Sequence, residues 1–375
     1  MLREPELETV DITVNVGPQH PATHGVFRMV LLVDGERVVD VEPHIGYMHR
    51  GAEKLCENLD TRQAIGIMDR TEYLASFNAE LSYVMAAEKI AGIEVPERAQ
   101  YIRLILCELN RIASHFMFMG AFGTDIGVFG TAFMYSFRER ERIQDLFESV
   151  TGERMMYNYF RLGGLAWEPP DDFEDHIRYV LGEARKGIAD IDGLMSENEV
   201  FLARTRGIGT ISAEDAINWG LSGPMLRASG VEHDLRRAEP YSLYPRFEFE
   251  IPIGQNGDVY DRYWVRLQEM DQSARIVEQA LKQMPKSGPI LAEGLPRGRS
   301  IRLPPGEVYM RTEAPRGEYG IYMVSRGGSK PYRVRVRASS FCNLSALRQM
   351  MHNAYVADAV VILGSTDIVL CEVDR

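Results

Sequence analysis

The sequence predicts a mainly helical α+β protein with a small antiparallel sheet at its N-terminus and an α+β portion at its C-terminus. Short stretches of alternating polar and apolar residues lie near both ends, and longer apolar stripes with helical spacing fill the middle. A segment rich in Pro and Gly separates the middle from the last part. We therefore divide the chain into residues 1–43, 44–284, 285–306 and 307–375, which we expect to form one composite domain.

The N-terminal sheet is predicted from three short stretches that alternate as strands do. They span residues 11–16, 26–33 and 37–42. Asp34-Gly35-Glu36 separates the last two stretches, and Gly35 allows the positive φ that a tight hairpin turn requires. These features predict an antiparallel arrangement.

The middle of the chain carries the helical pattern. Apolar residues recur at helical spacing over 66–91, and Pro96 stands where a second helix begins that runs to about Gly120. Further helices are predicted at about 130–150, 172–203 and 258–284. The helical body is thus the largest part of the molecule.

The last part begins after the Pro/Gly-rich connector at 285–306. Alternating stretches at 307–312, 319–325 and 331–337 predict strands, and a helix is predicted at about 343–355. The C-terminal portion is therefore α+β.

Composition excludes several classes of function. The chain has 375 residues, and its formal net charge of −12 argues against a nucleic-acid partner, since such binding depends on Lys and Arg at phosphates. No stretch reaches the roughly 18 apolar residues of a membrane span, and the acidic N-terminus lacks a signal-peptide pattern. We expect a cytoplasmic protein that meets a membrane only through a partner.

The cysteines do not predict a metal site. None of the four lies in a Cys-x-x-Cys pair, so neither a disulfide framework nor a self-contained zinc or iron–sulfur site is expected. They are Cys56, Cys107, Cys342 and Cys371.

The most unusual stretch is Gly17-Pro-Gln-His-Pro-Ala-Thr-His-Gly25, which we call the histidine loop. Its two prolines fix φ and remove backbone donors, so the loop is stiff enough to hold an imidazole in place. His20 and His24 have the spacing of a helical metal pair, but Pro21 between them argues against a helix. Two histidines that only hydrogen-bond a turn remain the alternative.

A second group of charged and imidazole side chains follows the predicted sheet. His44 and His49 lie in the segment 43–51, which ends in Arg50 and Gly51. Such a cluster in a Gly-containing bend suggests a functional site, and the alternative is the ordinary polar start of a helix.

Two further residues are candidates. Tyr73 lies in the predicted helix 66–91, where Asp69 and Arg70 would share its face; the alternative is a core tyrosine with a satisfied hydroxyl. Asp125 follows an apolar helix, where an Asp is commonly a cap or turn former. If Asp125 is buried, it needs a partner, and an imidazole would serve.

These pieces occur in a specific order that resembles one family. The motifs are GPQHPATHG, HIGYMHRGAEKL, DRTEYL, ELNRIASH, RLGG, ASGVEHDLRRAEPY, GDVYDRYWVR, GSKPYRVRVRASSF and EVDR. From about residue 12 to Arg375 the chain resembles the quinone-site subunit (designated D) of bacterial proton-pumping NADH:quinone oxidoreductase, respiratory complex I. The chain begins just before the first motif, which favours the stand-alone form over a fusion with the neighbouring subunit (designated C).

The resemblance implies a fold and a set of partners. The helical body would be similar to the large subunit of nickel–iron hydrogenases, to which the family is related. The chain would carry no redox cofactor of its own, and quinone would be its substrate. Its partners would be the iron–sulfur subunit (designated B) with the terminal [4Fe–4S] cluster, the neighbouring peripheral subunit named above, the membrane subunit (designated H) and other complex I subunits. It would lie peripherally on the cytoplasmic side of the inner membrane.

The resemblance also implies site residues. The ligands of the quinone headgroup match His24 and Tyr73, and the carboxylate that pairs with this histidine matches Asp125. Arginines near the cluster match Arg50 and Arg70. Quinone reduction takes two electrons and two protons, and Tyr and His are suitable local proton donors. An Asp beside His24 would favour the imidazolium and couple reduction to movement of that charge.

One departure stands out from the family pattern. Many members have a histidine near the cluster at about the place of Met156, and the run Met155-Met156-Tyr157 has none. This departure puts in doubt any pH dependence of the cluster potential that relies on that histidine.

Three alternatives are distinguished by sequence features. A nickel–iron hydrogenase needs two Cys-x-x-Cys pairs, but no cysteine lies near 49–53, and Val369 and Glu372 occupy the second pair of places with Cys371 out of register. An NAD-binding enzyme lacks its Gly-x-Gly-x-x-Gly signature here. A non-catalytic scaffold in a related membrane complex could dispense with His24 and Tyr73, so the presence of both favours a working quinone site. An equivalent subunit of a ferredoxin-dependent quinone-reducing complex remains open.

Overall fold

In the computed structural model, which describes residues 11–128, 130–295 and 301–375, the chain begins with a three-stranded antiparallel sheet. Its strands, β1 (Ile12–Val16), β2 (Arg28–Asp34) and β3 (Arg37–His44), pair in the order β1-β2-β3. Alternate residues of β2 are buried, so one face of the sheet packs on the body. Gly35 has φ +60° in the tight turn between β2 and β3. The predicted sheet and hairpin are confirmed.

The helical body follows the sheet. Its helices are α1 (Ala52–Asn58), α2 (Ile65–Met68), α3 (Ser76–Ala91), α4 (Glu97–Ile126), α5 (Thr131–Thr151), α6 (Phe173–Met195), α7 (Glu199–Thr205), α8 (Ala213–Asn218), α9 (Pro224–Ala228), α10 (Leu235–Ala238) and α11 (Val259–Gln283). A short hairpin of β4 (Phe160–Arg161) and β5 (Gly164–Leu165) separates α5 from α6. Helix α4 lies at the centre, where it packs against α3, α5 and α11.

Helix α4 is longer than the sequence predicts. It begins directly after Pro96, as predicted, but it continues past Gly120 to Ile126. Gly120 and Gly123 lie inside the helix and do not end it. Both face α5 closely: a Cβ on Gly123 would lie 2.7 Å from the Cβ of Ala132. Asp125 therefore lies in the last turn of α4, and the predicted role of a cap or turn after the helix is wrong.

The predicted helix at 66–91 is two helices, α2 and α3, with turns over residues 69–75 between them. Tertiary hydrogen bonds hold this segment in place of helical ones: the Asn158 N–H donates to the buried Asp69 carboxylate at 2.9 Å, and the hydroxyls of Thr71 and Tyr319 lie 2.7 Å apart. Tyr73 lies on this segment and not on a helix. The predicted shared face of Asp69, Arg70 and Tyr73 is also wrong, since Asp69 is buried and Arg70 is exposed.

The predicted helix at about 172–203 is likewise divided. Helix α6 ends at Met195, and α7 starts anew after Asn198, whose side chain accepts the N–H of Phe201 at 3.0 Å. The helices predicted at about 130–150 and 258–284 are confirmed as α5 and α11.

The C-terminal portion is an antiparallel meander followed by short helices. The strands are β6 (Pro305–Ala314), β7 (Gly317–Arg326) and β8 (Arg333–Arg337), and the helices are α12 (Ser339–Leu344), α13 (Leu347–Met351), α14 (Val356–Ser365) and α15 (Leu370–Asp374). The predicted strands are confirmed, but the single helix at about 343–355 is wrong. Asn353 and Ala354 form backbone hydrogen bonds with Val38 of β3 and so leave the helical path.

The N-terminal sheet, the body and the C-terminal helices pack together. Helix α13 contacts β3, and α14 contacts α4. Within the described ranges, no helix is both long and apolar enough to cross a membrane.

Candidate functional site

A cavity of about 640 Å³ lies where the histidine loop, the segment 69–75, the end of α4, the start of α5 and the residues before α15 meet. Its described lining includes the polar residues His24, Tyr73, Thr124, Asp125 and Asp367. The fold thus brings together three residues that the sequence singles out, His24, Tyr73 and Asp125, from three distant parts of the chain.

His24 and Asp125 form the shortest polar contact in the wall of this cavity. The Nε2–H of His24 donates to Oδ2 of Asp125 at 2.6 Å, and the two side chains are only 13% and 9% exposed. The imidazole therefore meets the need of the enclosed Asp125 for a partner. A hydrogen bond with so little solvent contact interacts more strongly than one on the surface.

The backbone around Asp125 makes room for this pair. A Cβ on Gly364 of α14 would lie 2.8 Å from Oδ2 of Asp125 and 3.3 Å from the ring of Phe122. Only a residue without a side chain lets α14 approach α4 this closely. Gly364 thereby leaves the carboxylate free to turn toward His24.

The histidine loop holds His24 through local bonds. His20 accepts the N–H of Ala22 on its Nδ1 at 3.2 Å, at the start of a 3₁₀ turn over Pro21–Thr23. The buried Thr23 hydroxyl donates to the carbonyl of His20 at 2.7 Å. His24 itself has φ 49°, a left-handed conformation that is uncommon outside Gly and is typical of constrained sites. His20 thus supports the loop, while His24 faces the cavity.

His20 contacts the N–H of Ala22 and His24 contacts Asp125, so the two imidazoles are not directed at a shared ligand. The described part of the chain contains no group of three or more His, Cys, Asp or Glu side chains that could hold a metal ion. All four cysteines are free thiols.

Tyr73 contributes a hydroxyl to the cavity. This hydroxyl has no hydrogen-bond partner among residues 11–128, 130–295 and 301–375, although the side chain is largely buried. Burial raises the pKa of Tyr73 above its usual value, so the phenol keeps its proton at neutral pH. The backbone beside it is held by Asn110, whose amide donates to the Leu74 carbonyl at 3.1 Å. A protonated, unpartnered phenol in a cavity can donate to a ligand.

The remaining wall is apolar. Met117, Phe118 and Ala121 of α4 line one part of it, and Phe133 and Met134 of α5 line another. Phe133 stacks on Phe137 with ring centroids 4.0 Å apart, which fixes its ring. A few polar groups in a mainly apolar cavity are the usual design of a site for an apolar ligand with a polar head.

Asp367 is a site residue that the sequence does not single out. It lies in the turn before α15, with φ 55°, and Arg316 donates both to its carbonyl at 2.8 Å and to its Oδ1 at 3.1 Å. Its Oδ2 is buried without a hydrogen-bond partner among the described residues. No spacing or composition in the segment 366–374 signals this role, because the partner lies far along the chain.

Arg50 and Arg70 do not line the cavity but lie together. The guanidinium of Arg50 donates to the carbonyl of Arg70 at 2.8 Å, and Arg70 in turn donates to the carbonyl of Gly66. Both side chains are exposed. Their positions therefore leave two cations on one part of the surface.

The bend that contains His44 and His49 is held by the C-terminus. The Asp374 carboxylate accepts the N–H groups of Gly46 and Met48, each at 2.7 Å, and its carbonyl lies 2.7 Å from Nδ1 of His49. His44 is half-exposed and lies 3.5 Å from Glu42. His49 therefore has a structural contact with the C-terminus, and it lies outside the cavity.

Comparison with known proteins gives consistent matches. The family model described as "Respiratory-chain NADH dehydrogenase, 49 Kd subunit" matches residues 125–297 and 295–375. Three similar proteins are all named as the D-type subunit of NADH-quinone oxidoreductase. That of Dehalococcoides mccartyi is 50% identical over 98% of this chain and 100% of its own length. Those of Carboxydothermus hydrogenoformans and Geobacter sulfurreducens are 48% and 47% identical over 98% and 97% of this chain and 100% and 98% of their own.

Proposed function

The chain belongs to the family of the 49-kDa subunit of respiratory-chain NADH dehydrogenase, and from this premise we propose that it forms the quinone-reduction site of an NADH:quinone oxidoreductase. The observation that supports the proposal most is the cavity that joins the His24–Asp125 pair and the hydroxyl of Tyr73, which has no partner among the described residues, to apolar walls. A quinone has a polar head with two carbonyl oxygens and an apolar tail, and this lining matches both parts.

Tyr73 and His24 would each contact one carbonyl oxygen of the quinone headgroup. We assign one carbonyl oxygen to the phenol of Tyr73 and the other to the imidazole of His24. Reduction places negative charge on these oxygens, and donors already aimed at them stabilise that charge without reorganising. Each can then pass on a proton, so the two residues supply the two protons that quinol needs.

Asp125 keeps the imidazole ready for this role. Its carboxylate at 2.6 Å fixes the orientation of the ring. Once His24 gives its proton away, the attraction between the pair weakens, because a neutral imidazole no longer balances the carboxylate. Quinone reduction would thereby change the charge on this pair.

The electrons come from outside this chain. When assembled, the terminal [4Fe–4S] cluster of the iron–sulfur subunit would supply them by tunnelling. We place the exposed pair Arg50 and Arg70 toward that subunit, where their charge would stabilise a reduced cluster. The neighbouring peripheral subunit and the membrane subunit would complete the surroundings, with this chain peripheral on the cytoplasmic side of the inner membrane.

Photolabelling of the purified complex tests the proposal. A short-chain quinone that carries a photoreactive group is expected to label peptides with Tyr73, Phe133 or the histidine loop, and native quinone should suppress the labelling. Labelling confined to other subunits, in a complex that reduces quinone, would exclude this cavity. Quinone reduction driven by reduced ferredoxin but not by NADH would instead assign the chain to a ferredoxin-dependent complex.

A further inference from the structure

Arg266 lies fully buried behind the wall of the cavity. It belongs to α11 and ends the motif GDVYDRYWVR, which has no part in the proposed chemistry. Its guanidinium donates to the carbonyls of Arg262 and Ser365 at 3.0 Å each. These acceptors are uncharged, so they hold the guanidinium in place without neutralising it.

Two residues of the cavity wall contact Arg266. Its Cζ lies 4.2 Å from the centroid of the Phe118 ring, and its Nε lies 3.8 Å from Oδ2 of Asp367. Phe118 and Asp367 both line the cavity. Because atoms in contact are about 3.5–4.0 Å apart, a ligand that touches the Phe118 ring would lie within roughly 8–10 Å of the cation.

The carboxylate of Asp367 faces a different arginine with each oxygen. Arg316 donates to Oδ1 at 3.1 Å, and Arg266 approaches Oδ2. Arg316 also donates to Glu72 at 3.1 Å, but Glu72 does not line the cavity. The negative charge in this part of the wall thus has two cations directly behind it.

The pairing between Arg266 and Asp367 is incomplete. The distance of 3.8 Å is too long for a hydrogen bond, and Nε of Arg266 and Oδ2 of Asp367 are both buried without a partner in the described part of the chain. The next acid, Glu269 of α11, is paired with Arg227 at 2.6 Å. Burial lowers the pKa of Arg266 to about 10, so the group stays charged at neutral pH. Arg266 is therefore a buried cation that no carboxylate contacts at hydrogen-bond distance among the described residues.

We propose that Arg266 is a positioning residue that acts through Phe118 and Asp367, and that it makes the cavity favour a negatively charged quinone headgroup over a neutral one. This inference rests on the proposed function. As electrons from the iron–sulfur chain of the complex reduce the quinone, negative charge develops on its carbonyl oxygens. A cation fixed behind the wall stabilises this charge until protons arrive from Tyr73 and His24, and it needs no rearrangement to do so.

Asp367 alone would have the opposite effect. A carboxylate in the wall repels a negatively charged headgroup, and the low polarity of an enclosed site strengthens the repulsion. Arg266 and Arg316 offset this repulsion, one at each oxygen of the carboxylate. Removal of the Arg266 charge should therefore weaken the binding of an anionic headgroup, whereas removal of the Asp367 charge should strengthen it.

Two quinones of similar shape and different charge test the inference in the purified complex. A hydroxynaphthoquinone is an anion at neutral pH, and a methylnaphthoquinone is neutral. The dissociation constant of each is measured by displacement of the photoreactive quinone from the cavity. Arg266→Gln keeps a donor for the surrounding carbonyls but removes the charge, and it should lower the preference for the anionic probe by about 10-fold. Arg266→Lys keeps the charge and should restore most of the preference.

Asp367→Asn provides an independent measurement if Arg266→Gln does not assemble. It should raise the preference for the anionic probe, which is a change of opposite sign. Arg103→Gln is the matched control, because Arg103 is also buried and pairs with Glu88 at 2.7 Å, but it lies about 22 Å from Phe118 along α4. This variant should lower stability without changing the ratio of the two dissociation constants.

The outcomes separate this inference from the proposed function. A ratio that Arg266→Gln leaves unchanged, as expected if the residue is only structural and both probes weaken equally, overturns the inference. So does a shift in Asp367→Asn that has the same sign as the shift in Arg266→Gln. In both cases the quinone site stands, because both probes still displace the photoreactive quinone. If neither probe binds in the cavity of the wild-type complex, the proposed function fails as well.

Discussion

Nε2 of His24 lies 2.6 Å from Oδ2 of Asp125, although 101 residues separate the two along the chain. One belongs to a stiff loop after the first strand and the other to the last turn of the central helix. The contact therefore depends on the packing of α14 against both the histidine loop and α4. Substitutions at this pair should therefore test both the packing of the site and its role in quinone reduction.

Removing the charge of Asp125 should impair the site without unfolding it. Asp125→Asn keeps the size of the side chain but removes the carboxylate that accepts the Nε2–H of His24 and orients its ring. We expect NADH–quinone turnover to fall by between about 10²-fold and 10⁴-fold, since carboxylates that orient an imidazole have effects of this order. NADH–ferricyanide activity should be unchanged. Asp145→Asn, at an exposed ion pair with Arg154, is the control and should leave NADH–quinone turnover unchanged.

Removing the hydroxyl of Tyr73 should have a similar effect. Tyr73→Phe takes away only an oxygen that has no partner in the described part of the chain, so stability should change little. Quinone turnover should fall by about 10²-fold, because a proton donor is lost. Steady-state assays with native quinone measure this, and Tyr322→Phe, at an exposed hydroxyl bonded to Glu307, provides the comparison. Equal turnover in both variants would remove Tyr73 from the reaction.

The two histidines of the loop should behave differently. His24→Ala removes the imidazole from the cavity, and quinone turnover should fall by about 10²-fold or more. His20→Ala removes the acceptor of the Ala22 N–H, which should cost about 1 kcal/mol of stability, as for other lost caps, but leave turnover near the wild-type value. Thermal inactivation and quinone turnover of the two complexes distinguish these effects. A loss of turnover in His20→Ala that matches His24→Ala would contradict this division.

Gly364 should tolerate no side chain. Gly364→Ala would place a Cβ 2.8 Å from Oδ2 of Asp125, so the carboxylate or α14 must shift. We expect a loss of about 1–3 kcal/mol in the free energy of unfolding, together with lower quinone turnover. Gly182→Ala in α6 is the matched control, because nothing lies within 4 Å of the added Cβ. It should be neutral or stabilise the protein by about 0.4–1 kcal/mol. Equal stability of the two variants would show that the close approach is not strained.

The sequence predicts the regular elements where local pattern decides them. Strands β1 to β3 and β6 to β8 follow from alternation with buried faces, and α4 from its apolar stripe after Pro96. The predictions fail where tertiary contacts override the pattern. Hydrogen bonds from Asn158 and Tyr319 hold residues 69–75 out of the helix, and pairing with Val38 of β3 ends the helix before Asn353.

The candidate site could be predicted only in part, because some of its residues have no signal in the local sequence. The stiff loop draws attention to both of its histidines, and a buried Asp125 would need a partner, but only the resemblance to the family selects His24, Tyr73 and Asp125 as site residues. Asp367 and Arg316 have no local signal, since their roles arise only when the β6–β7 turn meets the segment before α15.

A structure of the assembled complex with a short-chain quinone tests the quinone site most directly. We predict that the headgroup lies in the cavity between α4 and the histidine loop, with one carbonyl oxygen about 3 Å from the Tyr73 hydroxyl and the other at similar distance from the His24 imidazole. A quinone bound elsewhere in a complex that is active, with another protein of the complex filling this cavity, would contradict the assignment.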